Sequence, residues 1–150
     1  MSSSPAQTDE RATGRDSLDV VQATWNLLER SSAAALAAAH AEGVGVIVKE
    51  AMANGRLAGG DGVSIAAVDA SRLLRQSDRL AATADALALA AVLARPWVDV
   101  ALSGVASVGH LRSNLAALRI AWDDEAEADL APLAEEPDQY WRTRARLAWN

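Results

Sequence analysis

The residues able to do chemistry are few in this chain of 150 residues. There is no Cys, one Lys (Lys49), one Tyr (Tyr140) and two His (His40 and His110). Thiolate catalysis, disulfides and Cys-based metal sites are excluded, and no His pair has ligand spacing. No Ser-His-Asp signature supplies a nucleophile. What remains is binding chemistry, concentrated in two places. The first is the polar break Ala53-Asn54-Gly55, which follows the continuous apolar run Val44–Val48. The second is the segment from Gly104 to Asn114, where a Ser precedes a helical pattern and an Asn falls two turns further on. Glycines and helix N-termini at such places bring backbone N–H groups close to an anion.

Elements must exist to position these groups. Val44–Val48 is a continuous apolar run rich in β-branched residues, the pattern of a parallel strand covered on both faces. Leu18–Thr24 reads as an earlier strand with Gln22 near its carboxyl end, followed by the loop Trp25-Asn26-Leu27-Leu28. Ser31 or Ser32 caps a helix over Ala33–Glu42, and Gly43 is placed to end it as the C′ residue. Strand, helix and strand then form a right-handed β-α-β unit. The periodicity predicts helices over Ser64–Gln76, with Ile65, Val68, Leu73 and Leu74 inward, and over Asp78–Ala94, with Leu80, Ala84, Leu87 and Ala91 inward. Val98–Gly104 reads as a third strand. A helix over Ser107–Leu118 is expected to bury Val108, Leu111, Leu115 and Leu118. Asp123-Asp124-Glu125 opens another helix with acid at its positive end. In the final segment, Trp141, Ala145 and Trp149 share a helical face and are expected to pack, with the arginines pointing elsewhere.

Val-Ile-Val-Lys-Glu-Ala-Met-Ala-Asn-Gly-Arg-Leu (46–57) resembles the penultimate barrel strand and following loop of the aldo/keto reductases. Leu-Ser-Gly-Val-Ala-Ser-Val-Gly-His-Leu-Arg-Ser-Asn-Leu (102–115) resembles the last barrel strand and adenosine-phosphate motif of the same family, and the Tyr-Trp…Arg…Trp tail is similar to that of some members. The resemblance runs from about Leu18 to the C-terminus. It implies an α/β fold, a partial (β/α)8 TIM barrel of about three parallel strands with covering helices, the C-terminal barrel half. Residues 1–17, rich in Ser, Thr and charge, read as a disordered lead-in. A complete barrel needs ~250 residues.

The resemblance implies NADP(H) as cofactor. Gln22 stands where the family binds the nicotinamide carboxamide. Lys49 stands at the strand end where many members stack a ring on the nicotinamide, and Asn54, Gly55 and Leu57 belong to the loop that faces the pyrophosphate. Gly104 and Ser107 sit at the 2′-phosphate, and Asn114 at the adenine. Two positions depart from the pattern. Lys49 replaces a stacking aromatic, and His110 replaces an Arg that neutralises phosphate. The family's catalytic Tyr, Lys, Asp and His lie on the other barrel half, so no catalytic residue is assigned here. The expected role is the cofactor-binding half of an oxidoreductase, active in carbonyl reduction only if the missing half is supplied in trans. The alternative is a non-catalytic remnant or protein-interaction module with the same partial fold.

Three parallel strands cannot close a barrel, so self-association or a complementary half-barrel is expected as partner. The net charge of −6 and a pI near 4.8 argue against nucleic acid, and against reading the Arg-rich tail as an RNA site. No apolar run reaches membrane-spanning length. A cytoplasmic location is expected.

Overall fold

A computed structural model describes residues 18–58, 70–105 and 107–147. Three parallel strands form one sheet in the order β1 (Val20–Thr24), β2 (Gly45–Lys49), β3 (Val100–Ala101). Gln22 lies opposite Ile47 and Thr24 opposite Lys49, while Ile47 lies opposite Val100. The third strand is shorter than the expected Val98–Gly104, yet its pairing extends on both sides: the Asp99 N–H donates to the Val46 carbonyl (3.0 Å) and that of Leu102 to the Val48 carbonyl (2.8 Å).

The helices are α1 (Ala33–Ala41), α2 (Ala70–Arg79), α3 (Ala84–Leu93), α4 (Val108–Ala116), α5 (Asp124–Leu130) and α6 (Pro137–Arg146). They cover one face of the sheet. Val46 and Val48 are fully buried there, with Leu36 of α1 and Ala86, Leu89 and Ala90 of α3. Alternation puts Ile47 and Lys49 on the other face, where they are half-exposed, beside exposed Val20, Gln22 and Val100. The expectation of cover on both faces therefore holds on one side only. The apolar run Val44–Val48 has a helix layer behind it and an open surface in front.

Helix α3 is the centre of the packing. Ala84 through Val92 are all buried. One side meets the sheet, and the other meets a second core built from Leu27, Leu28, Leu57, Leu73, Leu130, Leu133 and Tyr140. Alanine makes this possible, since small side chains let neighbours approach an all-round buried helix closely. The predicted inward set Ala84, Leu87 and Ala91 does lie in that second core.

The predicted helix Asp78–Ala94 is divided. Helix α2 runs on to Arg79, Ala81 adopts φ 49°, and α3 starts after Thr83 in extended conformation. Arg79 is held by Asp123, through Nη1 and Nη2 at 2.9 and 2.7 Å, which fixes the end of α2. On α2, Leu73 is buried as expected but Leu74 is exposed. Gln76 is buried in its place, donating to Asp129 (2.8 Å). The hydrogen bond from Arg75 and then that from Gln76 hold the Asp129 carboxyl down to about 2. Residues 59–69, which take in the predicted inward positions Ile65 and Val68, the lead-in 1–17 and Trp149 lie outside the described residues.

Two terminal signals behave as read. Gly43 has φ 86°, the Val44 N–H reaches the Ala39 carbonyl (3.1 Å) and the Gly43 N–H that of His40 (3.0 Å), a Schellman ending of α1. Asp123 caps α5, accepting from the Ala126 N–H at 2.9 Å. Ser32 sits at the start of α1 but donates to the Thr24 carbonyl (2.8 Å) instead of capping.

Two expectations about packing fail. On α4, Val108, Leu111, Leu115 and Leu118 are exposed, and the helix buries Asn114 and, just after it, Ala117. On α6, the buried pair is Tyr140 and Arg144, whereas Trp141 is 47% exposed and packs edge-on against Tyr140. Specific polar partners, described below, outweigh the larger apolar area of Trp141.

Gly43 and Gly109 have open or ordinary space where a Cβ would sit, but only Gly43 has positive φ. Gly43→Ala is expected to lower the unfolding free energy by about 1 kcal/mol in a urea titration. Gly109→Ala, inside α4, is expected to raise it by roughly 0.5 kcal/mol.

Candidate functional site

The chain leaves the carboxyl end of β2 through a sharp loop. Glu50, Ala53, Asn54 and Gly55 all have positive φ, of 55°, 49°, 54° and 86°. Three of these are not glycine, so the loop stores strain that its surroundings must offset. The offset is a set of buried polar contacts. The Glu50 carboxylate takes both Nε (2.9 Å) and Nη2 (2.8 Å) of Arg144. The Glu50 carbonyl accepts from Asn26 Nδ2 at 3.0 Å, and the same nitrogen lies 3.0 Å from the Tyr140 hydroxyl. Asn26 Oδ1 in turn accepts from the N–H groups of Leu28 and Glu29, both at 2.9 Å.

Arg56, buried at the far end of the same loop, forms a two-point pair with Glu135 and lies 5.8 Å from the Tyr140 ring centre. The Glu135 N–H donates to the Leu28 carbonyl at 2.8 Å. Helix α6 is thereby clamped onto the loops after β1 and β2. Burial pushes the Tyr140 phenol up to about 12, so the one Tyr of the chain is a packed, un-ionised hydrogen-bonding group.

The clamped loop forms one wall of a cleft of about 410 Å³. Glu50, Met52, Asn54 and Gly55 line that wall, and Leu102, Ser103, Gly104 and His110 line the other. The second wall is the end of β3 and the start of α4. Gly104 has φ 61°, and Ser107 caps α4 by accepting from the His110 N–H at 3.2 Å. The cleft thus opens at the carboxyl ends of β2 and β3, where open α/β sheets bind ligands.

Of the residues singled out from the sequence, Asn54, Gly55, Gly104 and His110 meet in this cleft, with Ser107 beside it. Gln22 and Lys49 lie instead on the uncovered face of the sheet, one alternation apart in register. Leu57 is fully buried in the second core, so its side chain is closed to any ligand. Asn114 is buried and donates to the Ser103 carbonyl (3.3 Å), tying α4 to the end of β3, while its Oδ1 has no hydrogen-bond partner among the described residues. Glu50, Asn26, Tyr140 and Arg144 were not singled out. Only the four-residue spacing of Tyr140 and Arg144 on one helix face hinted at them.

The family model described as "Aldo/keto reductase family" matches residues 1–135. The chain belongs to the aldo/keto reductase family. The match takes in residues 1–17 and stops before the described part of α6 begins. Among solved structures, the chain is similar to a thermostable aldo-keto reductase, Tm1743, in complex with the inhibitor epalrestat. Identity is 25% and the TM-score 0.63, over 76% of this chain and 39% of that one.

It is also similar to the aldo-keto reductase AKR11C1 from Bacillus halodurans. In the apo form identity is 23% and the TM-score 0.62, over 81% and 45% of the two chains. In the holo form the values are 20% and 0.60, over 81% and 44%. No curated protein matches. The chain spans under half the length of these aldo-keto reductases, and its three parallel strands with their helices correspond to part of a TIM barrel. No helix among the described residues is long and apolar enough to cross a membrane.

Arg144→Met leaves Glu50 with a largely buried, unpaired charge at the base of the cleft wall. The variant is expected to lose about 3 kcal/mol of unfolding free energy by urea titration. The exposed neighbour variant Arg142→Met is expected to change it by less than about 0.5 kcal/mol.

Proposed function

We propose that this chain is the NADP(H)-binding portion of an aldo/keto reductase-like oxidoreductase. The dinucleotide phosphates would lie in the cleft between the loop after β2 and the start of α4. Carbonyl reduction would follow only when the remaining barrel strands, with their catalytic side chains, are supplied in trans. The observation carrying this reading is the convergence of Asn54, Gly55, Gly104 and His110 on one cleft beside the capped N-terminus of α4. Family membership makes NADP(H) the natural occupant. NADPH bound there would supply the hydride.

The chain's own contribution is mostly backbone. Gly55 and Gly104, both left-handed, leave one point on each wall without a Cβ, and the α4 terminus offers amide N–H groups to an anion. The side chains fit less well. Among the lining residues, His110 is the one basic group, and the Glu50 carboxylate is already engaged by Arg144. Weak binding through backbone amides is therefore the expected regime. Gln22 and Lys49, on the open sheet face, would reach the nicotinamide end only across that face. A cytoplasmic setting goes with this reading.

The weakness of the phosphate side chains favours a second reading, a non-catalytic interaction module that keeps the fold. The two are separated by a thermal melt with and without excess NADPH, because a ligand that binds only the folded state raises the transition by mass action. An upward shift is expected, and His110→Arg is expected to tighten NADPH binding by roughly tenfold by restoring a forked cation beside the phosphate. A cooperative melt with no shift in either protein would retire the oxidoreductase reading and leave the interaction module.

A further inference from the structure

Among the described residues, the densest group of large exposed apolar side chains lies at the β3 end of the sheet. Val108, Leu111, Leu115 and Leu118, at 68%, 45%, 52% and 70% exposure, share one face of α4 and the turn after it. On the strand itself, Val100 and Leu102 are also exposed, but on the opposite, uncovered face of the sheet. Strand β3 pairs only with β2, so its outer backbone edge is unpaired among the described residues. The end of the molecule thus presents a free parallel edge with an apolar helix behind it, the cross-section that the interior of the fold buries with a further strand and helix.

The opposite end of the same sheet has the complementary features. The outer edge of β1 is also free among the described residues, and Leu18 and Val20 are exposed beside it. Helix α1 packs on that half of the sheet through Leu36 and turns Ala34, Ala38 and Ala41 outward, a flat face against which leucine side chains can seat. The strands are all parallel. If β3 of one copy extends the sheet at β1 of another, α4 and α1 run side by side in the same direction with their C-terminal ends level. At that level stand Arg119 on one end and Glu42 on the other. Both are exposed and neither forms an ion pair among the described residues.

We propose that the occupant of the β3–α4 end is the β1–α1 end of a second copy of this chain. A two-fold pair covers both seams at once only by closing the three strands of each copy together into one parallel barrel, and that closed arrangement is the one proposed. The inference does not depend on the cofactor reading, but the pair fills the edges that barrel strands supplied in trans would use, so the two assemblies are mutually exclusive.

Sedimentation velocity of the full chain at tens of micromolar tests it, with circular dichroism to confirm folding. A species of twice the 15.7 kDa chain mass is expected. Leu115→Glu, at an exposed position, is expected to give a folded monomer. Glu42→Lys and Arg119→Glu are each expected to raise the dimer dissociation constant on the order of tenfold. The two substitutions together in one chain are expected to restore it, because the facing charges are then exchanged and attract again. A wild-type monomer overturns the proposal, whether the surface is covered by residues 1–17 or awaits a different polypeptide. A dimer indifferent to Leu115→Glu and to both single charge changes, or an open-ended series of larger species, overturns it as well.

Discussion

The buried pair between Glu50 and Arg144 is the interaction on which the site depends. It joins residues 94 positions apart, and it is made at the first left-handed residue of a strained loop. A buried ion pair seldom adds much net stability, because desolvation of both charges cancels most of the attraction. Its effect here is specificity. With Asn26 holding the Glu50 carbonyl and Tyr140 closing the network, the backbone after β2 has one way to leave the sheet. The cleft wall formed by Met52, Asn54 and Gly55 follows from that departure. Helix α6 therefore acts as a clasp on the site without lining it.

Packing carries the clasp to the other wall. Helix α3, buried between two cores, sets the distance between the sheet and the α2–α5–α6 layer. Trp25 extends the connection outside the sheet. It meets Trp97 edge-on, with the Arg30 and Arg95 guanidiniums 5.6 and 5.3 Å from its ring centre. Glu127 of α5 then joins both arginines, at 2.7 Å each. The loop after β1, the end of α3 and the start of α5 are thus bound in one network. Two walls of a shallow cleft held by such a scaffold present backbone amides in fixed positions, which suits an anionic ligand that the side chains alone would hold poorly.

Local signals were legible in the sequence. The apolar β-branched run marked β2, Gly43 marked the end of α1, and Asp123 marked the start of α5. Family motifs picked out Asn54, Gly55, Gly104 and His110, which line one cleft at the carboxyl ends of β2 and β3. Features that depend on distant partners were not legible. Nothing in Leu80-Ala81-Ala82-Thr83 announces a left-handed Ala between two helices; the break falls just after Arg79, whose partner Asp123 is distant in sequence. Hydrophobicity selects Trp141 as the anchor of α6, yet Tyr140 and Arg144 turn inward because Asn26 and Glu50 await them. On α4 the apolar spacing marks a face that needs cover, but no described residue of the same chain supplies that cover.

The central claim is that the two walls after β2 and β3 form one binding cleft for NADP(H). Hydrogen–deuterium exchange of the full chain with and without saturating NADPH tests this most directly, since it reports where along the backbone protection appears. Slowed exchange confined to residues 50–58 and 103–110 together is the predicted result. Protection of only one of these segments, or of neither while NADPH slows exchange in α2 and α5, would contradict it.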